Sequence, residues 1–167
     1  YDIGLGIPAE PLFRSSDISA NAQYLNDNKN VFSQDKWYVG ASVSGFDLSW
    51  HKYTDWTFDL QAKAGYLFID DWMVTGQLGW QAQTDVPSFF KIGAGLRYYF
   101  ESCGIYAGVS GNYLHWDDWN DFRPELNVGY AYFLTGKLTL EPEVYYEYST
   151  DNSDNSGFGI RLGFGLY

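Results

Sequence analysis

In 167 residues the chain carries 15 Tyr, 12 Phe, 7 Trp, 18 Gly and a single Cys, with a formal net charge of −11. One cysteine excludes an internal disulfide and a cysteine-based metal cluster, 46% apolar residues exclude disorder, and an acidic chain without a basic cluster excludes a nucleic-acid partner. No apolar run approaches the roughly 18 residues of a membrane-spanning helix, and the mean hydropathy of −0.31 looks soluble until its alternation is resolved.

Residues 1–35 form a segment of their own. They lack sustained alternation, carry Pro8 and Pro11, and become rich in Asn, Asp and Ser toward Asn30. Three arrangements are open: a loosely packed tail, docking on a partner with Ile3-Gly4-Leu5-Gly6-Ile7 added to its sheet edge, or a plug. No leader peptide is visible, so the chain reads as a mature form.

From residue 36 onward the period is two, the mark of strands with unlike faces. A first strand, Trp37 to Trp50, is expected to bulge near Ser44-Gly45. In the second, Trp56, Phe58, Leu60, Ala62, Ala64, Tyr66 and Phe68 oppose Thr57, Asp59, Gln61, Lys63 and Gly65; after Ile69-Asp70-Asp71 the third sets Trp72, Val74, Gly76, Leu78 and Trp80 against Thr75, Gln77, Gly79 and Gln81. Such a tight acidic turn joins antiparallel strands. Phe90 to Phe100, Ile105 to Tyr113, Phe122 to Leu134, Leu138 to Tyr148 and Phe158 to Leu166 continue the pattern, for eight strands in all. Aromatic strand ends recur at Phe68, Phe100, Phe133 and Tyr167, at intervals of 32, 33 and 34 residues, one hairpin each. The turns after the internal strand ends are short, and longer polar links are expected at His51–Asp55, Thr84–Ser88, Asp117–Asn120 and Asp151–Ser156. Outer-membrane barrels have this asymmetry.

Volume decides which face is outside. An eight-stranded barrel is just wide enough inside for side chains to fill, and the apolar set carries Trp, Phe, Tyr or Leu on nearly every strand, whereas the opposite set is rich in Gly, Gln, Ser and Thr. Large residues placed outside require lipid around them. The opposite set also contains Lys63, Lys91, Arg97, Arg123 and Arg161 against Asp59, Glu125, Glu141, Glu143 and Glu147, a balanced lumen network of the kind that unpaired buried charge would forbid. Trp72 and Trp80 bracket one strand; eight residues at roughly 3.3 Å, tilted about 40°, project to about 20 Å, near the roughly 25 Å apolar band of membrane barrels. Trp37, Tyr66, Phe68, Trp72, Tyr98, Phe100 and Tyr132 then fall at the short-turn interface and Trp50, Trp56, Trp80 and Trp116 at the long-loop interface, as two aromatic girdles.

The strand ends Gly65-Tyr66-Leu67-Phe68 and Arg97-Tyr98-Tyr99-Phe100 are those of a known family. From about Lys36 to Tyr167 the chain resembles the small outer-membrane β-barrels of Gram-negative bacteria, the eight-stranded kind typified by OmpX and the OmpA barrel. The resemblance implies an all-β, eight-stranded antiparallel up-and-down transmembrane barrel over 36–167, preceded by a periplasmic or lumen-associated segment over 1–35, with both termini periplasmic. One departure is present: the family ends on an aromatic in phase with its lipid-facing residues, whereas Tyr167 is out of phase with Phe158 to Leu166, so either a residue follows Tyr167 or the signal is shifted.

Chemistry-bearing groups are few. His51 and His115 alone titrate near neutral pH and both fall near the loop rim, where they invite comparison with lipid A-modifying barrel enzymes; the His-x-Ser spacing of the deacylases is absent, and a set of His51, Ser49 and a loop Asp has no motif behind it. Asp117, Asp118, Asp121, Asp151 and Asp154 offer oxygen ligands of the kind Ca²⁺ accepts, without EF-hand spacing, and solvated loops are the favoured reading. Cys103 lies in a predicted periplasmic turn. No catalytic residue, metal or cofactor is therefore assigned. The expectation is a plugged, non-enzymatic barrel serving as scaffold or accessory subunit, in contact with outer-membrane lipid, lipopolysaccharide and other envelope proteins. A rim-histidine lipid enzyme and a carrier of small hydrophobic ligands are the alternatives.

Overall fold

A computed structural model describes residues 15–28, 31–46, 57–83, 86–100, 103–116, 119–151 and 156–167. A helix, α1 (Ser15–Asp27), precedes nine strand segments: β1 (Trp37–Phe46), β2 (Thr57–Ile69), β3 (Trp72–Gln83), β4 (Val86–Phe100), β5 (Ile105–Trp116), β6 (Trp119–Tyr130), β7 (Tyr132–Phe133), β8 (Leu138–Glu147) and β9 (Gly157–Leu166). All pairings are antiparallel between chain neighbours, β9 returns to β1, and β8 pairs with both β6 and β7. Only Ala131 separates β6 from β7, and Val128↔Val144 and Tyr132↔Leu140 keep one register across it, so the two form a single strand. The result is a closed eight-stranded barrel, which leaves no sheet edge to be managed.

Closure sorts the faces as alternation requires. On β9, Phe158, Ile160, Leu162, Phe164 and Leu166 are exposed, while Gly159, Arg161, Gly163 and Gly165 are buried. Outward residues on the other strands include Val39, Leu60, Val74, Leu78, Ile92, Leu96, Val109, Leu126 and Val144, a continuous apolar belt. The lumen glycines act as sockets. Tyr106 lies directly opposite Gly129 and Tyr145 opposite Gly159, and a Cβ on either glycine would stand 2.3 Å from the facing ring. A bulge between Ser44 and Phe46 re-aims the upper part of β1 against β9.

Two links are shorter than their composition suggests. β3 and β4 leave only 84–85 between them, and β5 and β6 only 117–118. Pro87 is accommodated because the β3–β4 ladder is interrupted between Gln81 and Gln83, where a missing N–H costs no ladder bond. Asn120 pairs with His115 and Trp119 with Trp116, so these two residues of the expected link belong to the β5–β6 ladder, while Asp117 and Asp118 lie outside the described residues. The link between β1 and β2, 47–56, lies outside the described residues, and that between β8 and β9 spans 148–156, of which 152–155 lie outside them.

Residues 15–28 and 31–36 lie across the turn end of the barrel. Ser15, Ser16 and Asp17 suit a helix start, and the Asn21, Tyr24, Leu25 and Asn28 side chains share one face at i, i+3, i+4 spacing. Asn28 closes the helix by donating from N and Nδ2 to Tyr24 O, both at 2.9 Å. Lys36 Nζ donates to Val31 O (3.2 Å), and partial burial, with Lys137 nearby, holds this ammonium below its ordinary range.

An arginine placed at mid-height of the outward belt measures whether that belt lies in hydrocarbon: Val109→Arg is expected to lower folding free energy in phospholipid vesicles by about 2–4 kcal/mol. Urea titration followed by the gel-mobility difference between folded and unfolded barrel reads the loss.

Candidate functional site: the lumen and its closed end

Alternation delivers the polar side chains to the axis, and the strand register decides which of them meet. At the turn-side tier Arg97 donates to Glu141 (3.1 Å) and Glu143 (3.3 Å), and its guanidinium lies 4.0 Å from the Tyr106 ring centroid. Tyr38 Oη donates to Glu141 (2.9 Å) and Tyr106 Oη to Glu143 (3.0 Å). In the middle tier Arg161 spans Glu125 through both terminal nitrogens (3.2 Å each), reaches Glu143 at 2.5 Å and stacks 4.1 Å over Tyr145. Lys63 stands 3.6 Å from Glu143. The loop-side tier holds Lys91 paired with Glu147, Arg123 between Asp121 (2.6 Å) and Glu147 (3.1 Å), and Asn112 linking Glu125 to Glu147.

Of the ten charged residues expected in the lumen, the structure places eight as buried and Arg123 and Glu147 as part-buried, and nine of the ten are linked by ion pairs. Asp59, the tenth, is buried, and its Oδ1 has no hydrogen-bond partner among the described residues. An eleventh joins them. Asp121, grouped by sequence with the loop carboxylates as an oxygen ligand for Ca²⁺, is instead buried in the lumen, where it accepts from Arg123 and from Ser149 Oγ (2.8 Å). The signal was available in its phase, since Asp121, Arg123 and Glu125 alternate inward on one strand. Counting it, the described residues of the lumen include five basic and six acidic side chains, a formal −1 rather than the zero that balanced fives implied. Asp151 is exposed and its N donates to Asp121 Oδ1 (3.3 Å); Asp117, Asp118 and Asp154 lie outside the described residues. Among the described residues no group of three or more His, Cys, Asp or Glu is placed to hold a metal ion.

Little free space remains. The cavity bounded by Tyr38, Ser42, Lys63, Arg97, Glu143 and Arg161 measures about 10 Å³, about the space of one water. Toward the turns, Tyr167 points into the barrel mouth, which accounts for its phase: its hydroxyl meets Tyr99 Oη (2.7 Å) and donates to Glu141 (3.0 Å), and its ring packs 5.5 Å from Phe32. Phe32, which no periodicity marks, stacks on Tyr99 at 4.2 Å.

On the outside, aromatic rings pair at the turn end, Trp37 with Tyr66 and Trp72 with Tyr98, both at 5.0 Å, and Phe68, Phe100 and Tyr132 sit beside them on the same rim. Trp80 is exposed toward the loop end; Trp50, Trp56 and the Trp116 side chain lie outside the described residues. His115 faces outward with Nδ1 2.7 Å from Asn120 Oδ1, and His51 lies outside the described residues.

No protein-family model and no curated protein matches the chain by sequence. Solved structures do match. Neisserial surface protein A (NspA) superposes with a TM-score of 0.56 at 15% identity, covering 78% of this chain and 96% of NspA. The N-terminal β-barrel domain of Pseudomonas aeruginosa OprF gives 0.55 at 16%, covering 80% and 97%. The fold is that of an eight-stranded outer-membrane β-barrel. The Yersinia pestis outer membrane protein Ail, whose backbone structure was determined in a phospholipid bilayer nanodisc, gives 0.51 at 13%, covering 80% of this chain and 99% of Ail. At these identities the outer-membrane barrel likeness is one of fold, and what this barrel does rests on its own residues.

Arg161→Met would leave Glu125 and Glu143 buried without their main partner and is expected to cost about 3–5 kcal/mol. The double variant Arg161→Met, Glu125→Gln is expected to recover part of that loss, measured by urea titration in vesicles.

Proposed function

We propose that the protein is an integral, non-enzymatic outer-membrane barrel, sealed along its lumen, that serves as a structural scaffold or accessory subunit of an envelope assembly. The observation that carries this reading is the ion-pair network packed across the lumen, where the cavity between Tyr38, Ser42, Lys63, Arg97, Glu143 and Arg161 measures about 10 Å³, too little for a permeating solute or a bound hydrophobic ligand to pass that tier. A sealed barrel presents only its outer surface and its two ends to other molecules. Its apolar belt contacts lipid, with lipopolysaccharide in the outer leaflet, and the paired aromatics at the turn end form the girdle at one interface. Short turns, the start of β1 and the end of β9 share one end of the barrel, which in barrels of this type supports periplasmic termini. Residues 15–36 at that end and the loops at the other are the surfaces offered to envelope proteins. The rim-histidine alternative draws no support from His115, which points outward with an amide as its partner.

Planar-bilayer recordings test the seal: the purified protein is expected to show no stable conductance steps, and large persistent steps would overturn the reading. Native electrophoresis of mild-detergent extracts tests the subunit role. Migration as a discrete assembly heavier than the 19.1 kDa chain is expected, and migration of lipid-solvated monomer alone would remove that role.

A further inference from the structure

One stretch of chain touches every short turn at the closed end. Asp71 N donates to Phe32 O (2.9 Å) and Gln34 N to Asp70 Oδ1 (2.7 Å), at the β2–β3 turn. Leu25 abuts Gly104 in the β4–β5 turn, where a Cβ would stand 3.0 Å from Leu25 Cδ1, and Tyr24 Oη donates to Gly136 O (3.2 Å) in the β7–β8 turn. Phe32 sits among Tyr99 of β4, Phe133 of β7 and Tyr167, at ring separations of 4.2, 6.0 and 5.5 Å.

This seat does not exist in an open sheet. Tyr167 reaches its position because β9 pairs on one side with β1 (Leu166↔Val39) and on the other with β8 (Leu166↔Leu138), and its own N donates to Lys137 O (3.1 Å). The β1–β9 pairing is the seam between the two ends of the barrel chain, and Tyr38 of β1 packs its ring 4.9 Å from that of Tyr167, so the wall that Phe32 needs is complete only when the seam has formed.

A second contact locks the arrangement. β6 and β7 together run past the start of β5, whose Ile105 pairs with Tyr130, so Ala131 to Phe133 overhang their neighbour. Asn21 fills the missing place: Nδ2 donates to Ala131 O (3.1 Å) and to Tyr130 Oη (2.8 Å), and Phe133 N donates to Oδ1 (3.1 Å). A side-chain amide thus supplies the acceptor and donor of an absent strand. The helix that carries it has 13 residues, with Leu25 its one buried apolar side chain, and a helix this short is marginal without tertiary contacts.

We propose that residues 15–28 and 31–36 are a closure-dependent latch: Phe32 seats only after β9 has sealed onto β1, and Asn21 then clamps the β6–β7 overhang and holds the seam shut. The latch orders assembly, since the segment at the start of the chain waits for the strand at its end. It also couples the stability of α1 to that of the seam.

Refolding of the full chain into phospholipid vesicles with pulsed hydrogen–deuterium exchange and mass spectrometry tests both parts. The α1 amides are expected to gain protection no earlier than those of β9; protection of α1 before β9 overturns the proposal. At equilibrium Asn21→Ala is expected to speed α1 exchange at least 10-fold and to speed exchange in β1 and β9 as well. Faster exchange in α1 with an unchanged seam would make the segment a passive cover and also overturns it. Tyr167→Ala barrels that keep folded gel mobility are expected to lose α1 protection, and retained protection counts against the latch. Tyr167→Phe keeps the ring beside Phe32 and is expected to keep α1 protected; loss of protection there would mean that the ring is not what seats Phe32. A conducting or monomeric protein would defeat the proposed function and leave these readouts standing.

Discussion

Glu143 lies where the barrel is narrowest in chemical choice: Arg161, Arg97 and Lys63 surround it at 2.5, 3.3 and 3.6 Å, and Tyr106 donates to it at 3.0 Å. A carboxylate taken out of water is tolerable only when opposite charge and hydrogen bonds replace its hydration. Around Glu143 this demand propagates. Arg161 must also answer Glu125, Arg97 must answer Glu141, and Glu125 and Glu147 share Asn112. Because members come from β2, β4, β5, β6, β8 and β9, the network is satisfied only when those strands stand in one register around one axis. It therefore specifies closure as well as filling the lumen.

Volume makes the same demand in another form. Eight strands leave room for side chains but not for two large ones at one height, so the lumen alternates sockets and occupants. Tyr106 over Gly129 and Tyr145 over Gly159 set the rings on which Arg97 and Arg161 rest, at 4.0 and 4.1 Å. Glycine in these strands is not weak packing; it is the space that brings a ring against a guanidinium. The large residues excluded from the lumen have only the outside left, which is why the apolar belt and the polar core are two consequences of one strand count.

Much of this was legible in the sequence because period-two alternation is a local property. The faces of β2, β3, β4 and β9 and the ten lumen charges follow from counting positions, and the belt follows from what an eight-stranded interior cannot hold. What escaped was nonlocal or masked by composition. Thr84–Ser88 and Asp117–Asn120 read as loops since Pro, Asp and Asn are turn residues, yet Val86, Pro87 and Ser88 belong to β4 beside a bulge and Trp119 and Asn120 to the β5–β6 ladder. Asp121 was grouped with neighbouring aspartates although its phase put it inside. The helix at Ser15–Asp27 has no stripe of apolar residues to announce it; one Tyr and one Asn find partners more than a hundred positions away and Leu25 abuts Gly104, and no window along the chain displays that.

Tyr167 shows how a broken pattern carries information. Its phase departs from Phe158 to Leu166, and read as a membrane-facing aromatic it is misplaced. Read in space it is the joint between two systems: its hydroxyl accepts a place in the lumen network beside Glu141 and Tyr99, while its ring forms a wall for Phe32. From Glu143 through Arg97, Glu141 and Tyr167 to Phe32, a chain of direct contacts runs from the middle of the lumen to the segment that covers its mouth. An aromatic in the lipid-facing phase at that position would have strengthened the belt by one residue and removed one of the links between network and cover, the other running from Arg97 through Tyr99 to Phe32. The inward phase gives up that membrane contact and makes the lumen, the seam and the closed end one cooperative structure.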